Sequence, residues 1–372
     1  MTSVIKKIIA FSVSAILTVC GLFGMTNNIS DDYAEGKYKN VILMIGDGMS
    51  FNNLEATKAL KTDGYLAMET MPVQAKSDID SYLIPATDSA GGTALSTGMR
   101  VWINSVAVFP FLPYAPEDIS VPINLCELAK ANDMAAGVVT TDETSGATPA
   151  SFSSHTIARG NEEDISNDQL LSGIDLIWGG ASESINEENT AANGFTYIDS
   201  ETDMNTLSAG SRSFAQFSFD DMKYCTNNHD TPTIEEMTSK AIEILSADED
   251  GFFLMVEGAC IDKHSHNNDM DNMVLSAAEF DKAVSAALEF AKEDGETLVV
   301  VTADHGTGGM KQNAETGEFY FTSESHDLWD VPVYVSADDA GFIAGQEIKN
   351  RQIPVQIARV LGFDKSQFPA QK

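Results

Sequence analysis

The sequence predicts an α/β domain with a mainly parallel central sheet flanked by helices on both faces. Three observations carry this. Short, continuously apolar runs recur along the chain, stretches of helical periodicity alternate with them, and no internal repeat breaks the pattern. Runs that are apolar throughout, rather than at alternate positions, indicate strands buried on both faces, as parallel strands are. A chain of 372 residues with 43% hydrophobic content is long and apolar enough to bury a sizeable core.

The first strand is read over Lys39–Ile45. Further strands follow at Ala135–Thr140, Phe252–Val256, Thr297–Thr302 and Val331–Val335, with helices at Val121–Ala131, Thr233–Ser246 and Met270–Lys292. Residues 161–231 are more polar and read as an insertion at the edge of the domain, although Ile174–Gly180 within them looks like another strand and turn. The domain is expected to span residues 36–372. Before it, Lys6 and Lys7 precede an apolar run from Ile8 to Gly24, so residues 1–28 read as an export signal or a retained anchor, and the protein is expected outside the cytoplasm. Cys20 falls in that segment. Cys126, Cys225 and Cys260 show no metal-thiolate spacing, and a Cys126–Cys225 disulfide is permitted by export.

Lys and Arg number 22 against 56 Asp and Glu, a net charge of −34. Such a chain does not grip nucleic acid or an anionic membrane through a basic face. Small anionic substrates stay within reach, because bound cations can invert the local field.

Charged residues gather where the strands end. Asp47 follows the first strand, Glu257 closes Phe252–Val256, and Asp304 and His305 follow Thr297–Thr302. Open α/β sheets bind ligands beyond the carboxyl ends of their strands. A lone Asp there is more often a cap or turn former; several carboxylates with histidines on one edge point to metal. Asp262 and His266 are four apart, so a helix puts them on one face, where carboxylate and imidazole suit zinc or form an ordinary ion pair. His264 points elsewhere. Asp304 and His305 offer adjacent ligands ahead of Gly306, Gly308 and Gly309, and His326 precedes the final strand. Ser89, in Thr87-Asp88-Ser89-Ala90, precedes small residues that can open a helix, whose N-terminus favours an alkoxide; an N-cap is the other reading. Thr148 offers an oxygen to a hard cation. The helical stretch it begins is expected to carry Arg159, whose fork fits two phosphate oxygens.

Taken together, six motifs resemble the alkaline phosphatase family in order and spacing: Ile45-Gly46-Asp47-Gly48-Met49, Thr87–Ala90, Ala147–Ala150 with Arg159 eleven residues after the Thr, Val256–Asp262 with His266, Thr302–His305, and Ser325-His326. The resemblance implies an alkaline-phosphatase-like fold and hydrolysis of small phosphate monoesters through a phosphoserine on Ser89. It implies two zinc ions, one on Asp262, His266 and His326 and one on Asp47, Asp304 and His305. A magnesium ion would be held by Asp47, Thr148 and Glu257. Arg159 would bind the phosphate oxygens, and Lys263 would reach them through water. It allows a homodimer. The runner-up is a phosphodiesterase of the same superfamily; a non-catalytic binder is opposed by the intact nucleophile and ligands. Two departures stand out. Gly146 replaces the Asp or His of many members, and only 20 residues separate His305 from His326, so the crown reduces to about 306–324.

Overall fold

The computed structural model describes residues 36–79, 87–101, 104–110, 119–222, 231–338, 347–363 and 368. The segment 1–28 and Cys225 lie outside them. Cys126 and Cys260 are both buried.

Ten strands join in one sheet: β1 (Asn40–Gly46), β2 (Val73–Asp78), β3 (Ala135–Glu143), β4 (Leu176–Gly180), β5 (Thr196–Ile198), β6 (Ser213–Gln216), β7 (Phe252–Gly258), β8 (Thr297–Thr302), β9 (Val331–Val335) and β10 (Glu347–Lys349). Their spatial order is β10-β2-β9-β8-β1-β7-β3-β4-β6-β5. Every pairing is parallel except the two made by β9. The polar stretch 161–231 thus supplies the strands of one edge.

The apolar runs are continuous because each strand feeds two cores. Ile42 and Met44 of β1 enter one, with Leu254, Val256, Val299 and Val301 from its neighbours. Val41, Leu43 and Ile45 enter the other, with Phe253, Met255, Leu298 and Val300. Helices cover both faces. On the first lie α1 (Phe51–Leu60), α8 (Ile234–Leu245), α9 (Cys260–His266) and α10 (Met270–Asp294). On the second lie α2 (Asp88–Thr97), α3 (Leu125–Lys130), α4 (Ala147–Ser153), α5 (Glu162–Leu171) and α11 (Ile353–Val360); α6 (Glu187–Ala192) packs on β5, and α7 (Glu201–Thr206) turns Met204 into the first core. No helix among the described residues is long and apolar enough to cross a membrane.

Two helix assignments need correction. The helix expected from Val121 starts only at Leu125. Pro122 disfavours a helical residue before it, and Asn124 sets the start by capping, its Oδ1 accepting from Glu127 N at 3.0 Å. The helix that begins at Ala147 does not reach Arg159. It ends at Ser153, because Ser154 is extended and Thr156 bridges to Val106.

Candidate active site

The parallel register lines up the site. Thr140 of β3 pairs with Glu257 of β7, Glu257 with Ile45 of β1, and Ile45 with Thr302 of β8. Asp47 and Asp304 each lie two residues beyond this row, so one sheet edge delivers three carboxylates. A tight turn follows β1, in which Met49 N donates to Gly46 O at 3.1 Å and Gly48 takes φ 67°. A Cβ on Gly48 would stand 2.7 Å from Asp262 Oδ1, so only glycine lets the turn meet α9. Gly48 N and His305 N then donate to Asp304 Oδ1, at 3.3 and 2.9 Å.

Among the described residues two clusters result, bridged by a third group of Asp88, His305 and His326. Asp262, His266 and His326 offer ligand atoms within 4.8 Å of one another, and so do Asp47, Asp88, Asp304 and His305. The helical spacing works as expected: His266 Nε2 is 3.3 Å from Asp262 Oδ2. The Glu324 carbonyl sits 2.5 Å from His266 Nδ1, which fixes that nitrogen as the donor and leaves Nε2 for a cation. His326 is brought in by a short ribbon in which Gly306–Thr307 pairs with His326–Asp327. Its ring stacks on that of His305 with centroids 3.8 Å apart, so the clusters adjoin. Buried His264 stays apart, 3.7 Å from Asp269.

Ser89 lies in the first turn of α2, capped by Thr87. Its Oγ is buried, accepts from Asn104 N at 3.1 Å and lies 3.2 Å from Thr87 Oγ1. Asp88 is the residue that sequence reasoning passed over, although it stands beside Ser89 in the motif. Its Oδ1 is 3.0 Å from His305 Nε2 and 3.4 Å from His326 Nε2, while Oδ2 accepts from Arg159. Arg159 reaches it from the loop after α4, held by its own N–H donating to Asn104 O at 2.8 Å. Lys263 is clasped by two carboxylates, Asp142 at 2.6 Å and Asp221 at 3.3 Å.

Thr148 and Glu257 fall in neither cluster. They lie on α4 and β7, which pack together, and Glu257 Oε2 accepts from Thr140. Several buried oxygens around the site make no well-formed hydrogen bond, namely Asp47 Oδ1, Thr144 Oγ1, Ser145 Oγ, Thr148 Oγ1, Glu257 Oε1 and Asp304 Oδ2, although Thr148 lies against Glu257 and Asp47 against Asp304. Each such group costs about 1–3 kcal/mol unless something satisfies it. Burial, then the charges of Asp304, Asp262 and Asp88, pushes the Asp47 carboxyl well up; burial and then Asp142 do the same to Glu257. Divalent cations relieve both penalties. The imidazole and carboxylate sets suit zinc, and the hydroxyl and carboxylates around Glu257 suit magnesium.

The same electrostatics predict a pH dependence after chelation. Burial pushes His305 down, but Asp304, Asp88 and Asp262 outweigh it and hold the imidazole up to about 10. A folded value above the unfolded ~6.5 stabilises fully below pH ~6.5, and that stability is lost as pH rises to the folded value. Asp304, raised to about 6 chiefly by burial, acts in the same sense at lower pH. The melting temperature of chelated protein should therefore fall from pH 5 to pH 10, and saturating zinc should remove the fall above pH 6.5. A flat profile in calorimetry of the chelated protein would contradict this.

The family model described as alkaline phosphatase matches residues 38–192 and 180–331, most of the chain. The chain belongs to the alkaline phosphatase family. It is 34% identical over 307 residues to alkaline phosphatase 3 of Bacillus subtilis, covering 76% of this chain and 64% of that relative. It is 29% identical to the alkaline phosphatase of Escherichia coli, over 75% of this chain and 72% of that one. Among solved structures, the alkaline phosphatase of the Antarctic bacterium TAB5 superposes with a TM-score of 0.77 at 26% identity, covering 89% of this chain and 99% of that one. The Thermus thermophilus alkaline phosphatase, at 18% identity, has a TM-score of 0.79 over 92% of this chain and 95% of its own, a likeness of fold. The family is metal-dependent, and the clusters described above are groups that could hold such ions in this chain.

Proposed function

We propose that the protein hydrolyses small phosphate monoesters to an alcohol and inorganic phosphate through a phosphoserine on Ser89. One observation carries this: the buried Ser89 hydroxyl opens a helix directly after Asp88, whose carboxylate joins both histidine clusters to Arg159. Nucleophile, cation ligands and a phosphate-binding fork thus converge on one point.

Ser89 Oγ loses its proton and attacks phosphorus, the ester P–O bond breaks, and the departing alkoxide takes up one proton and leaves as the alcohol. Water then attacks the phosphoserine, the Oγ–P bond breaks, one water proton goes to Ser89 Oγ, and the water oxygen leaves in inorganic phosphate. The positive end of α2 and the Asn104 N–H favour negative charge on Oγ. Asp88 holds the Arg159 guanidinium, which binds two non-bridging oxygens. Lys263, held by Asp142 and Asp221, would reach the phosphate through water.

Zinc on Asp262, His266 and His326, zinc on Asp47, Asp304 and His305, and magnesium on Asp47, Thr148 and Glu257 would supply Lewis-acid stabilisation to the attacking and leaving oxygens. Variants of the TAB5 relative with one histidine changed to glutamate or aspartate have been solved with magnesium in a site termed M3, which supports a third cation here.

The deciding experiment compares a chromogenic monoester and diester on zinc- and magnesium-loaded protein. A monoester preference of about a hundredfold or more in kcat/KM, some 2.7 kcal/mol, is expected, and Arg159→Ala should raise KM and weaken phosphate inhibition with metal content kept. A diester preference would replace this reading with the phosphodiesterase.

A further inference from the structure

Asp142 enters the reaction only by holding Lys263, yet the fold places it closely. It stands at the end of β3, where the pairing with β4 shifts register between Val139 and Glu143. Asp142 N donates to Thr140 Oγ1 at 2.8 Å, and the same hydroxyl donates to Glu257. The Asp142 carbonyl fits only because Gly179 lies opposite: a Cβ there would approach it to 2.8 Å. So the turn at Asp142 and the carboxylate of Glu257 are tied through one hydroxyl.

The side chain goes to a specific place. An ideal Cβ on Gly146 would lie 2.1 Å from Asp142 Oδ2 and 2.6 Å from its Cγ. The carboxylate therefore fills the volume that any side chain at position 146 would take. From there Oδ1 reaches Lys263 Nζ at 2.6 Å. Asp142 is also the foremost charge acting on Glu257, ahead of Asp304.

The cation site beside it is short of ligands. Glu257 and Thr148 are each 1% exposed, and neither Glu257 Oε1 nor the Thr148 hydroxyl makes a well-formed hydrogen bond. With Asp47 these give three oxygens. Magnesium demands six in near-ideal octahedral geometry and keeps several waters, which then need acceptors to orient them.

We propose that Asp142 is the positioning residue of this third cation site, supplying from β3 the acceptor carboxylate at the place a residue-146 side chain would occupy, and dividing it between the cation's waters and Lys263. Gly146 is then the residue that makes room, and positions 142 and 146 are alternative origins for one carboxylate. The inference rests on the third-cation reading above.

The test titrates magnesium chloride into zinc-loaded protein and follows bound magnesium and melting temperature, neither of which needs turnover. Asp142→Asn should weaken magnesium binding by about 10–100-fold while zinc content is unchanged. Asp142→Ala with Gly146→Asp should recover most of that loss, because the carboxylate returns to the same volume. A merely structural Asp142 predicts no such recovery, so weakening without rescue overturns the proposal. Asp142→Asn with wild-type magnesium binding overturns it alone. Wild-type protein that neither binds magnesium nor gains stability from it overturns the third-cation reading and this proposal together.

Discussion

Ser89→Ala is expected to lower monoester turnover by about three orders of magnitude or more while leaving zinc content and melting temperature near wild type. The side chain is buried, but it is small. Its losses are the contacts with Asn104 N and Thr87 Oγ1, and neither partner is a proposed cation ligand. Residual activity should come from water attacking directly, without a phosphoserine. Quenched-flow measurement of a burst, with mass analysis for a phosphorylated chain, checks this. A variant that kept its burst would remove Ser89 as the acceptor.

Asp47→Asn should separate activity from stability. Asp47 is 5% exposed and faces Asp304, Asp262, Asp88 and Glu257, so in chelated protein its ionised form is opposed by burial and by its neighbours. Removing its charge should raise the melting temperature of chelated protein, since a buried like-charge contact is relieved. In loaded protein the same change removes a ligand proposed to be shared between zinc and magnesium. Bound metal should fall, and kcat with it, by about a hundredfold or more. Paired metal analysis and calorimetry, with and without chelator, read both effects. Stability lowered in chelated protein would mean that Asp47 is chiefly structural.

What the sequence showed and hid follows from locality. β1, β7 and β8 were legible because both of their faces are buried and nearly every residue is apolar. β2, with Gln74, Lys76 and Asp78, and β6, only Ser213–Gln216, carry no such run; their strand state comes from neighbours in the sheet. Asp262 and His266 were legible because one helical turn joins them. Arg159 was assigned to a helix because nothing local announces that Thr156 pairs with Val106, fifty residues earlier. Asp88 was hidden by its neighbour: the motif was read for its serine, and the aspartate, which lies in the first turn of α2, received no role. Asp142 could not be seen at all, because its meaning lies in the empty side of Gly146.

The place of β1 has a consequence for how the chain comes to be folded. Its partners are β7 and β8, so Val41 waits for Phe253 on one side and Leu298 on the other. Pairings of such long sequence separation make folding slow, because a large loop must close before either contact is rewarded. Until then β1 is an apolar strand with two open edges, the kind of segment that other chains capture. Asp47 hangs from that strand and His326 from the ribbon beyond β8. All of β1, β7 and β8 must therefore be present before Asp47, Glu257 and Asp304 line up, and a nascent chain stopped before Thr297 would leave the β8 edge of β1 unpaired.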